Sequence, residues 1–236
     1  DSQIFNYSTG ADCQSTLACM EALGIRHTTA DQDGRRTLTI HGKGAAGLSA
    51  PSSTLDAGNS GSTIRMLSGI LAAQPFTTRI TGDESLVKRP MRRIMTPLAE
   101  MNARIEATGG DFPPLTIHGS ALRGIDYPLP VASAQVKSCV LLAGLYATGE
   151  TVVREPIVTR DHTELALREL GADITMEPRV VRLQGGAKLS GKGLFVSGDL
   201  SSAAFFLGAA LIAREADLII TNVGSNPKRT ALLYVL

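Results

Sequence analysis

Tryptophan is absent and aromatic residues fill only 4% of the 236 positions, so a nucleic-acid surface built on base stacking has little to work with. An excess of one charge is missing too: 23 Lys and Arg stand against 22 Asp and Glu, and any affinity for anions must therefore be local. Three cysteines, Cys13, Cys19 and Cys139, form no CxxC pair and have no histidine cluster beside them. That argues against a zinc site and a disulfide framework and predicts reduced thiols. The longest apolar run, Ala203 to Ala213, is too short to cross a bilayer, and the first residues lack the layout of a secretory signal. The expectation is a soluble, cytoplasmic protein that contacts neither membrane nor nucleic acid. Glycine-rich nucleotide loops, HExxH and a GxSxG elbow are all missing, which removes support for nucleotide, zinc and acyl-serine chemistry.

What is present is repetition. Leu-Thr-Ile-His-Gly occurs at 38–42 and again at 115–119, and Val-Arg-Leu-Gln-Gly at 181–185 is a looser third copy. Each copy follows a segment of one type: Met20 to Ile25, Glu100 to Ile105 and Glu169 to Ile174. Hydrophobic residues at 43% suffice for one sizeable core or two modest ones. The second copy reads as a helix from about Thr63, a strand at 77–81, a helix from about Pro90 and strands around Arg104 and Leu115, close to a βαβαββ unit. Met91, Ile94, Met95, Leu98 and Met101 fall at helical spacing, Pro90 suits a first turn, and Pro97 is the misfit. A third copy repeats the order, with a helix from about Gln135, a strand at 151–154 and a helix at 163–170. Residues 1–42 supply a strand at 4–7, one helix and the closing strands. Residues 198–236 supply a helix at 201–213, a strand at 218–221 and the start of another helix, so the chain is expected to be cut inside a unit at both ends.

Four segments carry groups that can hold an anion. Asn59-Ser60-Gly61-Ser62-Thr63 precedes an apolar-faced helix, where free N–H groups suit a carboxylate or phosphate, or where Ser60 or Ser62 simply caps the helix. Ser133-Ala134-Gln135 opens the equivalent helix one unit later. Lys88, Arg89, Arg92 and Arg93 crowd a helix start, against the helix dipole, and bidentate phosphate contacts would offset that cost, with solvated surface charge as the plain alternative. Thr159-Arg160-Asp161-His162-Thr163 occupies the matching loop; Asp161 or Thr163 is expected to cap the helix there, and His162 beside Asp161 is a less favoured catalytic pair. His27, His41 and His118 near strand ends are given no role.

Taken together, Asp56 to Arg65, Thr81 to Met91, Ser133 to Ser138, Glu155-Pro156 with Thr159 to Glu164, and Gly198 to Ala204 resemble, in order, the motifs of the 5-enolpyruvylshikimate-3-phosphate synthases. The resemblance implies an α/β fold of two inside-out, barrel-like domains of repeated βαβαββ units, the enolpyruvyl transferase fold, with substrates in the cleft between them. It implies transfer of the enolpyruvyl group of phosphoenolpyruvate to the 5-hydroxyl of shikimate 3-phosphate, in aromatic amino-acid biosynthesis, without metal or organic cofactor. Gly61, Ser62 and Arg89 would face phosphoenolpyruvate, with Lys88 beside them. Ser133, Ala134, Gln135, Thr159 and Arg160 would face shikimate 3-phosphate, Thr159 standing where the family usually has Ser. Glyphosate, which takes the phosphoenolpyruvate site in this family, would meet the same Gly61 and Arg89. On this reading residues 1–197 form the shikimate-phosphate-side domain and 198–236 begin a second domain. The proton-transfer groups would lie in a missing, complementing half, leaving this chain inactive alone. The alternatives are UDP-N-acetylglucosamine enolpyruvyl transferase, whose usual loop cysteine is not found between Gly82 and Arg89, and a noncatalytic substrate-binding half.

Overall fold

The computed structural model describes residues 1–32 and 35–235. In chain order the first elements are β1 (Ser2–Phe5), α1 (Ala11–Ala22), β2 (Arg26–Gln32) and β3 (Arg35–His41). The middle unit runs β4 (Leu55–Asp56), α2 (Gly61–Leu71), β5 (Thr77–Thr81), α3 (Arg92–Glu100), β6 (Arg104–Thr108) and β7 (Phe112–His118). The third runs β8 (Asp126–Pro128), α4 (Ala134–Gly144), β9 (Glu150–Arg154), α5 (His162–Glu169), β10 (Ile174–Glu177) and β11 (Val180–Gln184). Last come β12 (Gly193–Phe195), α6 (Leu200–Ile212) and a 3-10 turn at Thr230–Tyr234.

The pentapeptide copies become the same strand of three similar sheets, ordered β12-β1-β3-β2, β4-β5-β7-β6 and β8-β9-β11-β10. Each sheet pairs its first two strands in parallel and the rest antiparallel. The second helix of every unit also ends alike. Gly24, Asn102 and Gly171 adopt left-handed φ of 86°, 79° and 96°, and the next amide returns to a carbonyl five residues back, Ile25 to Met20, Ala103 to Leu98 and Ala172 to Leu167. A glycine or asparagine meets that φ cheaply, so the turn that starts each closing strand is set locally.

Helices α2 and α4 lie innermost, each buried along most of its length, and their backbones touch where a Cβ on Gly69 would stand 2.3 Å from the Cys139 carbonyl oxygen. The sheets lie outside them with one face covered, as in the buried-exposed alternation of β7. This is the inside-out order that the motifs imply. Cys19 and Cys139 are buried free thiols, and burial pushes the Cys139 thiol up to about 12.

Several expectations change. The first strand is Ser2–Phe5 rather than 4–7, because Asn6 turns the chain at φ 58°. The first unit gains a fourth strand from β12, far along the chain, which the repeat count did not foresee. Pro90 lies before α3 instead of in its first turn, and Met91 takes the N-cap. Pro97 stays inside the helix, giving up one backbone bond to Arg93 while its ring is buried. Residues 218–221 form no strand, and Leu218 and Ile219 are exposed: an isolated segment finds no ladder to join, apart from one bridge of Val223 to Gly198. The second helix expected near the end is only the 3-10 turn. No helix among the described residues is long and apolar enough to cross a membrane.

Candidate functional site

Two helix N-termini open beside each other. Ser60 caps α2 by accepting from the Thr63 amide at 3.2 Å, which settles the choice between Ser60 and Ser62, and Ser133 caps α4 from the Val136 amide at 3.4 Å. Gln135, in the first turn of α4, donates to the Ser62 hydroxyl at 2.8 Å and accepts from Arg65 at 3.0 Å. Arg65 also reaches the Gly61 carbonyl at 3.3 Å. The two free helix ends are thereby cross-linked, and their positive dipole poles point to one place.

Arg89 is brought to the same place from the β5–α3 loop. Asp83 folds that loop back by accepting from the amides of Ser85 and Leu86 at 3.0 and 2.8 Å, and Leu86 is buried beneath it. Arg89 then donates to Asn59 Oδ1 at 2.6 Å, the Asn59 carbonyl at 3.3 Å and the Ser85 hydroxyl at 3.1 Å. A Cβ on Gly61 would sit 2.5 Å from Arg65 Nη1 and 3.5 Å from Arg89 Nη1, so glycine is what lets both guanidinium groups close on the helix end. Burial, with Arg89 and Arg93 nearby, lowers the pKa of the Arg65 guanidinium. Cations crowded at a helix N-terminus are unfavourable until an anion joins them. Lys88 is exposed at the end of the 3-10 turn Leu86–Lys88, and Arg92 is engaged by Asp111 at 2.6 Å.

The β9–α5 loop completes the edge. Thr159 is held by Glu155, whose Oε1 accepts from its amide at 3.1 Å and from its hydroxyl. Arg160 follows, exposed, and its side chain makes no hydrogen bond or ion pair among the described residues. Beneath lies an ion cluster: Lys137 Nζ is 3.0 Å from Glu155 and 2.6 Å from Glu164, all three side chains at most 4% exposed. Asp161 holds the N-cap position of α5, but its side chain makes no capping bond, and Thr163 lies within the helix. Asp161 is taken by Asn226 at 2.8 Å and Lys228 at 2.7 Å, and Thr163 shares a 2.6 Å hydrogen bond with Ser138. The carboxylate of Asp161 is thus turned to the chain end rather than joined to the exposed His162.

Hydrogen bonds therefore join Ser62 to Gln135, and Arg65 to Gly61 and Gln135, while Arg89 reaches the same helix end through Asn59. Ser133 caps the helix that carries Ala134 and Gln135, and Thr159 is tied to that helix through Glu155 and Lys137. Sequence reasoning gave no role to Arg65, Lys137, Glu155 or Glu164. A signal existed: counted from the caps Ser60 and Ser133, Lys137 falls where the preceding unit has the fully buried Ile64.

Residues 1–236 match the profile of the family described as EPSP synthase (3-phosphoshikimate 1-carboxyvinyltransferase). A protein of Solibacter usitatus named 3-phosphoshikimate 1-carboxyvinyltransferase is 62% identical over 236 residues, covering 100% of this chain and 54% of the relative. A Bacillus subtilis protein of the same name is 48% identical over 234 residues, covering 99% and 54%. The solved structure of EPSP synthase from Acinetobacter baumannii superposes with a TM-score of 0.90 at 47% identity, over 100% of this chain and 53% of that one. The chain thus spans about half the length of the relatives it matches, and their names do not favour the UDP-N-acetylglucosamine reading. From β4 to β11 and across the whole match, the chain belongs to the EPSP synthase family and has the enolpyruvyl transferase fold.

Proposed function

We propose that this chain is the shikimate-phosphate-side part of an enolpyruvyl transferase. The observation that carries the reading is the convergence of Arg65, Arg89 and the α2 N-terminus on Gly61, with Gln135 bridging from α4. Phosphoenolpyruvate, whose phosphate and carboxylate are both anionic, is seated by Arg89, the Gly61 and Ser62 amides and the nearby Lys88. Shikimate 3-phosphate is seated by Ser133, the Ala134 backbone, Gln135, Thr159 and Arg160. Its 5-hydroxyl adds to the central carbon of phosphoenolpyruvate while a proton goes to the methylene carbon. The resulting tetrahedral intermediate then loses a proton from its new methyl group as the bond to phosphate breaks, leaving an enolpyruvyl ether and inorganic phosphate. Residues here bind and orient; the proton-transfer groups belong to the remainder of the protein. Glyphosate, an anion of similar span, is expected at Gly61 and Arg89.

Residues 1–197 form this domain and 198–236 begin another. In support, β12 closes the first sheet at Phe195, and α6 beyond it leaves Phe205, Phe206 and Ile212 exposed at 81%, 63% and 88%. The first sheet has no counterpart of α2 or α4 among the described residues, and an apolar groove lined by Ile4, Leu17, Met20, Ile25, Leu38 and Ile40 marks the place. Both surfaces are suited to the complementing half. Calorimetry of the chain with shikimate 3-phosphate should show weak one-site binding, with no product from the chain alone and turnover restored by the other half of the protein. Absence of binding in the restored protein, or turnover by the chain alone, would sink the reading.

A further inference from the structure

We propose that Lys137 is a positioning residue: its buried ammonium, clasped by Glu155 and Glu164, seats the Thr159–Arg160 segment against the α4 N-terminus and so sets affinity for the phosphate-bearing acceptor substrate. The proposal rests on the reading of the site given above. Lys137 is the largest of the fully buried side chains, and an ammonium in a dry place demands a reason. The fold does not supply one. In the middle unit the corresponding positions are Ile64, Gly82 and Met95, matched by helix caps, strand ends and helix ends respectively, and that unit makes the same corner with no charge at all. Ion clusters of this kind are often replaceable by apolar side chains without loss of stability.

Nor is the cluster needed to hold α5 on α4, since Ser138 and Thr163 already join the two helices at 2.6 Å. What Lys137 adds is a grip on Glu155. Glu155 Oε1 lies 3.0 Å from Nζ and also accepts from the Thr159 amide and hydroxyl, so one oxygen links the ammonium to the loop. The strand end is fixed as well, because the Glu155 amide and carbonyl bond Arg179 at 2.8 and 3.1 Å. Glu164, at 2.6 Å, fixes Nζ from the other side while its Oε2 finds no partner among the described residues. Lys137 Nζ likewise has no well-aligned hydrogen-bond partner among the described residues, and a buried ion cluster so incompletely paired adds little net stability.

Two measurements test this. Hydrogen exchange on the unaltered chain needs no ligand: the Thr159 amide should exchange at least tenfold more slowly than those of the exposed Ile157 and Val158, and equal rates would overturn the proposal. Calorimetry with shikimate 3-phosphate is then run on the triple variant Lys137→Met, Glu155→Met, Glu164→Met and on a second in which Glu155→Gln replaces Glu155→Met. The first should fold and bind at least tenfold more weakly; the second, which restores an acceptor for Thr159 but not the ammonium that holds it, should recover only in part and stay at least threefold weaker than the unaltered chain. Unchanged binding in the first, full recovery in the second, or failure of the triple variant to fold each overturns the assignment. Should the unaltered chain not bind this ligand, the site reading fails, while exchange of the Thr159 amide in Lys137→Met still judges Lys137: it should be at least tenfold faster than in the unaltered chain, and an equal rate would overturn the assignment.

Discussion

The middle and third units make the same corner with opposite chemistry. Between α2 and the β5–α3 loop the contact is dry and apolar, with Ile64 and Leu86 fully buried, and the loop that bears Arg89 is mounted by exposed polar groups, Asp83 and Asn59. Between α4 and the β9–α5 loop the interior contact is ionic, and the loop that bears Arg160 hangs from it. A duplicated unit is its own control: backbone order, caps and strand pairing are shared, so the difference lies in what each loop must present. Arg89 is braced by Ser85 on its own loop and by Asn59 in the turn before α2, whereas Arg160 has no such brace among the described residues and depends on the base of its loop.

Moving the charge to the wrong unit should have the largest effect. Ile64→Lys places an ammonium in a corner with no carboxylate, and should cost about 4–5 kcal/mol or more in urea denaturation. A small loss would mean that the apolar corner is wetter than its packing suggests and would break the contrast. Next comes Lys137→Met alone, which strands two buried carboxylates and should cost about 3–5 kcal/mol, far more than the triple variant that removes all three charges. If single and triple variants are equally destabilised, the cluster is a stabilising element and not a positioning one. Ile64→Val, which trims one methylene where Lys137 has its ammonium, should cost about 0.5–1.5 kcal/mol and leave ligand affinity unchanged.

The reason one corner was legible in the sequence and the other was not is physical. Helix α2, the strand copies at 38–42 and 115–119, and the glycine at Gly61 are local signals, and local signals repeat when units repeat. The fourth strand of the first sheet was invisible because β12 is contributed from the opposite end of the chain, and pairing at that separation leaves no mark in local pattern. Lys137 has no legible role in the sequence, since nothing in a single helix says that its two partners come from a strand end and another helix. Strand 218–221 failed for the converse reason: its apolar pattern is real, but a strand is stable only in a sheet. Arg65 escaped notice because its role is to cross-link two helices, and its partner Gln135 comes from the next unit.

The mildest expected effect distinguishes the two loop mounts without any mutation of the core. Asp83 is held below the ordinary carboxylate range, first by the Asn59 side-chain amide and then by the Leu86 and Ser85 amides and Arg89, with slight desolvation opposing. A carboxyl depressed on folding supports its loop at every pH above its unfolded value and loses that support as the pH falls through the lower, folded one. The amide resonance of Leu86 should therefore stay constant at neutral pH and titrate only below about 3.9, the ordinary Asp value. The change should vanish in Asp83→Asn. Being exposed, this mount should also weaken as salt shortens the Debye length from about 8 Å at 0.15 M to about 3 Å at 1 M, while the Thr159 amide above the buried cluster keeps its exchange protection. Equal salt sensitivity of the two amides would show that both loops rest on solvated charge, and the chemical contrast between the units would be lost.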